Sequence, residues 1–146
     1  MSVEINQIVN ELAQTKNIED LLEKYNWKTF EDFVEFVFQQ HDFKTKKNFR
    51  FKTKKRYEID IIAERDVVFC VDCKRWGRGR YKKHSLIKSS EKLLERVGEF
   101  KNYAKIKKQV LPLIITLWDE GFYMENKTFF VPIWKLNEFL LSEFWR

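Results

Sequence analysis

Two apolar, β-branched runs lie close together in this chain, Glu58-Ile59-Asp60-Ile61-Ile62-Ala63 and Val67-Val68-Phe69-Cys70-Val71-Asp72-Cys73-Lys74. Each carries charge where a buried strand should carry none. An unpartnered carboxylate or ammonium in such a setting costs several kcal/mol, so these charges need partners or a metal. Side chains alternate faces along a strand, which places Asp72 and Lys74 on one side and Val71 and Cys73 on the other. If the two runs pair as a hairpin, Asp60 lies beside Asp72 with Lys74 adjacent. Two carboxylates and a lysine on one sheet face make a divalent-metal site with a fixed cation beside it. That is equipment for hydrolysing a phosphodiester.

The chain has 146 residues, 16% of them aromatic, with four glycines and two prolines. A disordered chain is poorer in Phe and Trp, so a packed core is expected. One domain over 1–146 is the simplest reading, with 1–26 a helical N-terminal extension and 27–140 the core. The amino terminus, Met-Ser-Val-Glu, has no early basic cluster or apolar segment, and the longest uncharged apolar run, Val110 to Trp118, is far too short to span a bilayer. The expected setting is cytoplasmic, with no membrane partner. Cys70 and Cys73 form a CxxC without a second pair or suitably spaced histidines, which reads as two reduced core thiols rather than zinc ligands.

Charge is unevenly spread. Residues 1–43 hold 3 basic and 9 acidic side chains, residues 44–108 hold 22 and 8, and residues 109–146 hold 3 and 5. The positive charge therefore surrounds the suspected site, where a polyanion would need to bind. Lys46, Lys47, Arg50, Lys52, Lys54, Lys55 and Arg56 on one side, and Arg75, Arg78, Arg80, Lys82 and Lys83 on the other, are candidate phosphate contacts. Trp76 fits two roles, a base stack or junction wedge, and simple packing.

Hydrophobic periodicity predicts a helix over 3–13 and a short one after Asn17. Thr29 is the expected cap of a stronger helix over 30–40, with Glu31 and Glu35 stacked four apart on one flank. Strands are expected over 45–52, 57–64 and 67–74, then a long helix over 85–105. Strands over 111–117 and 128–131 and a helix over 133–144 complete an α/β arrangement with a mixed sheet.

With those elements placed, the pattern resembles the restriction-endonuclease-like nucleases of the PD-(D/E)xK superfamily, most closely the Mrr-like and archaeal Holliday-junction-resolvase-like branches. The resemblance covers about residues 27–140. It rests on Trp27-x-x-Phe30-Glu31-x-Phe33-Val34, on Glu58 to Ala63, and on Val71-Asp72-Cys73-Lys74-Arg75-Trp76, close to the family's ECKRW form. It implies a central mixed β-sheet flanked by helices, with an N-terminal helical extension. By this likeness Asp60 and Asp72 are metal ligands and Lys74 orients the attacking water. The Cys73 carbonyl adds a backbone ligand and Glu31 a further acidic one. A first-turn glutamate also suits a helix N-terminus on dipole grounds, so Glu31 has two readings. Ile59 stands where the nominal motif has proline, and Asp72 where glutamate is commoner. No glutamine or second lysine stands out on the later helix.

The resemblance implies a Mg²⁺-dependent DNA endonuclease, with Mn²⁺ as a substitute, acting on duplex or branched DNA in restriction, repair or recombination. A homodimer would suit cutting of both strands. The alternatives are a non-catalytic nucleic-acid-binding module and a nuclease subunit that depends on a partner.

Overall fold

The fold is organised around a strand buried on both faces. In the computed structural model, which describes residues 3–12, 14, 17–74, 83–119, 121, 123–143 and 145–146, β3 is Val68–Lys74, and all its residues are buried except the half-buried Lys74. Such continuous burial suits a central strand with helices on both sides. Chain order is α1 (Val3–Leu12), α2 (Ile18–Glu23), α3 (Trp27–Gln40), β1 (Lys44–Lys52), β2 (Arg56–Glu64) and β3. There follow α4 (Lys83–Ala104), β4 (Val110–Thr116), β5 (Met124–Glu125), β6 (Thr128–Pro132), a 3-10 turn (Ile133–Lys135) and α5 (Leu136–Ser142).

The six strands form one sheet in the order β1-β2-β3-β4-β6-β5. The β1·β2, β2·β3 and β5·β6 pairs are antiparallel, while β3·β4 and β4·β6 are parallel. A parallel pair needs a crossover, and α4 supplies the one between β3 and β4. The sheet is mixed and flanked by helices, as expected. Among the described residues, no helix is long and apolar enough to cross a membrane.

Two hydrophobic layers cover the sheet. One joins α1, α2, α3 and α5 to Ile61, Ala63, Phe69, Val71 and Cys73. The other joins Leu86, Leu93, Val97 and Phe100 of α4 to Tyr57, Ile59, Ile62, Val68 and Cys70. Cys70 and Cys73 are free, buried thiols on opposite faces. Phe69 is the hub of the first layer, with ring centroids 5.8 Å from both Phe38 and Phe43 and 5.1 Å from Trp145.

Regular alternation would put Ile59 and Ile61 on one face, yet they are buried in different layers. The same reversal occurs opposite them on β1, where Lys47 pairs with Asp32 of α3 while Phe49 packs against Phe100 of α4. Asn48 stands at the reversal with φ 51°, a left-handed conformation that asparagine tolerates better than most residues. Both strands of the hairpin thus exchange faces at Asn48 and Asp60.

Other details depart from the sequence expectation. The α3 cap is Asn26 rather than Thr29: the Asn26 side chain accepts from the Thr29 backbone N–H at 2.9 Å and from its hydroxyl at 3.0 Å. The helix therefore begins at Trp27. The closing segment divides into the 3-10 turn and a shorter helix, and β5, only two residues long, carries no pattern of its own.

Because Phe69 is fully buried among four aromatic rings, Phe69→Ala should cost about 3–5 kcal/mol. Urea unfolding followed by circular dichroism would measure it.

Candidate active site

The β2·β3 ladder ends at Ile61↔Val71, one pair short of Asp60 and Asp72. There the two strands fork. The Cys73 N–H, which continued pairing would direct at the β2 backbone, instead donates to Asp60 Oδ2 at 3.0 Å. A side chain takes over a backbone bond, and the gap it props open holds the second carboxyl. Asp72 is 5% exposed and hydrogen-bonded to Asp60, and Lys74 Nζ lies 3.2 Å from Asp72 Oδ2. Burial, the neighbouring Asp72 charge and the hydrogen bond between the two carboxyls push Asp60 up to about 8. Burial and the adjacent charge thus favour the protonated form of Asp60.

Glu31 comes to this cluster from α3 and is 4% exposed. Burial raises its carboxyl above the usual range, against the Trp27 indole hydrogen bond and the Lys47 charge, which pull the other way. It is near enough to add to the upward push on Asp60. Among the described residues, no group of three His, Cys, Asp or Glu side chains closes into a metal cluster. The side-chain donors brought into contact are the two aspartates.

A cleft of about 600 Å³ opens over the pair. Its floor is Asp60, Asp72, Cys73 and Lys74; Trp27 and the hairpin residues Lys55, Arg56, Tyr57 and Glu58 form one wall, and Lys92, Glu95 and Arg96 of α4 the other. Sequence reasoning missed the α4 wall. The later helix does bring a lysine to the site, Lys92, with Arg96 one turn on; the signal was a pair of cations four apart. Trp27, 40% exposed at the cleft, also went unread as a site residue.

The expected phosphate-binding residues differ in availability. Arg56 and Lys55 line the cleft, and Lys46, Lys52 and Lys54 are exposed. Lys47 is tied to Asp32, Arg50 to Glu58 at 2.6 Å, Lys55 to Glu95 at 3.3 Å and Lys83 to Glu125 at 2.9 Å. Arg75, Trp76, Arg78, Arg80 and Lys82 lie outside the described residues. Glu35 accepts from the Thr45 hydroxyl at 2.8 Å, and His41 is the C-cap of α3.

A family model described as restriction endonuclease, Mrr_cat, matches residues 22–116, more than half of the chain. The chain belongs to this family. Every residue named in the cleft falls inside the matched span, so this is a nuclease domain of restriction-endonuclease type. An uncharacterized protein of Archaeoglobus fulgidus is 36% identical over 118 residues, covering 80% of this chain and 90% of that one. A crystal structure of a protein of unknown function is similar with a TM-score of 0.57 at 22% identity, which speaks to the fold alone. That match covers 77% of this chain, and the chain spans 63% of the solved protein.

The buried proton makes the stability of the Mrr-type domain depend on pH. Folded Asp60 keeps its proton up to about pH 8, whereas the unfolded chain releases it near the ordinary value of 3.8. The folded form binds more protons, so this contribution is full at low pH and is lost as pH rises through about 8. Each pH unit in that window costs at most about 1.4 kcal/mol. Asp60→Asn mimics the protonated acid, donating to Asp72 and accepting from Cys73. Its melting temperature in EDTA should exceed the parent's by a margin that widens from about pH 4 to about pH 8. A margin independent of pH would show that Asp60 is ionised in the fold.

Proposed function

We propose that this domain is a metal-dependent DNA endonuclease, and that Asp60, Asp72 and Lys74 carry the reaction. The observation that supports this most is the strand fork, which holds two hydrogen-bonded carboxyls under a cationic cleft, with an ammonium 3.2 Å from one of them. A purely structural pair would have no need of a cleft above it.

The donor set suits a hard divalent cation. All the groups are oxygens: the two carboxylates, the Cys73 carbonyl, and Glu31 nearby. Mg²⁺ takes few protein ligands and keeps its waters, so two carboxylates suffice without a closed cage. The raised Asp60 fits as well, since crowded negative charge is what such a cation relieves. In this reading Asp60, Asp72 and the Cys73 carbonyl hold Mg²⁺, or Mn²⁺ in its place, and Glu31 contributes charge from α3. When bound, the cation supplies neutralisation of the scissile phosphate and acidification of a water.

The remaining work belongs to the chain. Lys74 is a compact ammonium fixed by Asp72, and it holds the attacking water or a non-bridging phosphate oxygen as charge develops. The Cys73 N–H bond fixes the Asp60 carboxyl, so little is lost in orienting it. Arg56, Lys92 and Arg96 position the flanking phosphates.

A labelled panel of plain duplex, nicked circle, four-way junction, flap and single strand, incubated with Mg²⁺, Mn²⁺ or EDTA, tests the proposal. Metal-dependent cutting should fall at least about 100-fold in Asp60→Ala and in Lys74→Ala, with both variants still folded by circular dichroism. Preference within the panel separates branched from plain duplex substrates. Binding with no cutting under any metal would sink the catalytic reading, in favour of a binding module or a subunit that needs a partner.

A further inference from the structure

Beyond the active-site cleft, a second groove of about 840 Å³ runs between the β1–β2 hairpin and α4. The two adjoin along Lys55, Tyr57 and Glu95, which line both. Gly98 lines this groove, in the interior of a 22-residue helix. Glycine weakens a helix there. Its backbone is not left-handed, and an added Cβ would meet nothing within 4 Å. Neither conformation nor packing inside the chain calls for glycine, so what it provides is room above the helix.

The charges around that room favour a polyanion. Lys54 on the hairpin and Lys101 on α4 are exposed on the two sides, with the exposed Asn102 beside Lys101 as a neutral donor. Two acids also line the groove. Glu95 and Glu99 stand against Lys54, Lys55 and Lys101, so the cations lead by one, and Glu95 is paired with Lys55 at 3.3 Å across from hairpin to helix. Both partners of that pair are well exposed, so water already competes for it and Lys55 can turn to a phosphate at little cost. Along α4, Lys92 and Arg96 line the active-site cleft, and Lys101, half a turn round the helix from Lys92, lines the groove.

We infer that a nucleic-acid strand leaving the carboxylate pair continues through this groove, its sugar-phosphate backbone passing directly over Gly98. The inference rests on the nuclease reading and adds the path of the strand. The hairpin and α4 form the two banks, Lys54 and Lys101 take phosphates, and the Lys55–Glu95 pair opens as the strand enters.

Anisotropy titrations of the full chain against a fluorescein-labelled duplex and its single strand, in EDTA so that nothing is cut, test the path. Gly98→Gln adds a neutral, helix-favouring side chain. It should melt at or above the parent temperature yet bind about tenfold more weakly. Lys101→Gln should weaken binding several-fold and lower the salt slope by about 1. Lys127→Gln, at the opposite edge of the sheet, should bind as the parent does. Glu95→Gln, which removes an acid and releases Lys55, should bind more tightly. Parent-like affinity of Gly98→Gln overturns the path, as do equal losses for Lys101→Gln and Lys127→Gln, and either leaves the nuclease reading standing. A parent chain that binds neither probe, in EDTA or with Ca²⁺ in its place, overturns the path.

Discussion

Two largely buried carboxyls held side by side in a sheet are the constraint from which much of this architecture follows. An antiparallel ladder continued past Ile61↔Val71 would set Asp60 and Asp72 opposite each other. Like groups directly opposed are unfavourable even on an exposed sheet, and burial makes them more so. The chain resolves this by ending the ladder there and giving Asp60 the Cys73 N–H. The hairpin must then leave the plane of β3, and the exchange of faces at Asn48 and Asp60 does this on both strands at one level. A glycine would pass through the left-handed conformation more freely, at greater entropic cost in a strand. Asparagine keeps the strand and still makes the turn.

Rigid elements surround the fork. β3 is fixed by burial on both faces and by parallel pairing to β4 over its whole length. α3 carries Glu31 and Trp27 on a helix whose other face is sunk into the aromatic layer around Phe69. α4 is anchored by Leu86, Leu93, Val97 and Phe100, which leaves Lys92 and Arg96 free to face the cleft. Site residues thus come from the open faces of elements whose opposite faces are core. That arrangement holds reacting groups in place better than loops would. It also divides the basic residues into two kinds, those neutralised in ion pairs such as Lys47 and Arg50, and those left open to a phosphate, such as Lys54, Arg56 and Lys101.

What was legible in the sequence follows from which forces are local. The β3 strand announced itself through an apolar run broken by two charges, and the spacing of Asp72 and Lys74 placed them on one face before any fold was known. The meander of three strands, the crossover helix and the mixed sheet followed from periodicity. The exchange of faces did not. Ile59 and Ile61 read as neighbours on one face, but they part where Asp60 would otherwise oppose Asp72. The α3 cap was misread because Asn26 and Thr29 are both good cap residues three apart, and the hydrogen bond between them decides in favour of the first. Lys92, Glu95 and Arg96 were not singled out because a charged helix face, even with two cations four apart, looks the same whether it meets water or a cleft. Which face the hairpin leans toward is a tertiary fact.

The fork also ties stability to occupancy. Without a cation, the raised Asp60 favours its protonated form at neutral pH, so part of the fold's stability there depends on a proton that the unfolded chain would release. Under the proposed function, proton and metal compete for the same oxygens, and binding one expels the other. The domain would then be least stable when it has neither, at alkaline pH in the absence of metal. The dense aromatic layer beneath α3 has a place in this balance. A domain that keeps two mutually repelling acids in its sheet must draw the compensating stability from elsewhere, and here a dense aromatic layer packs on Phe69, in the same strand as Asp72 but at its other end.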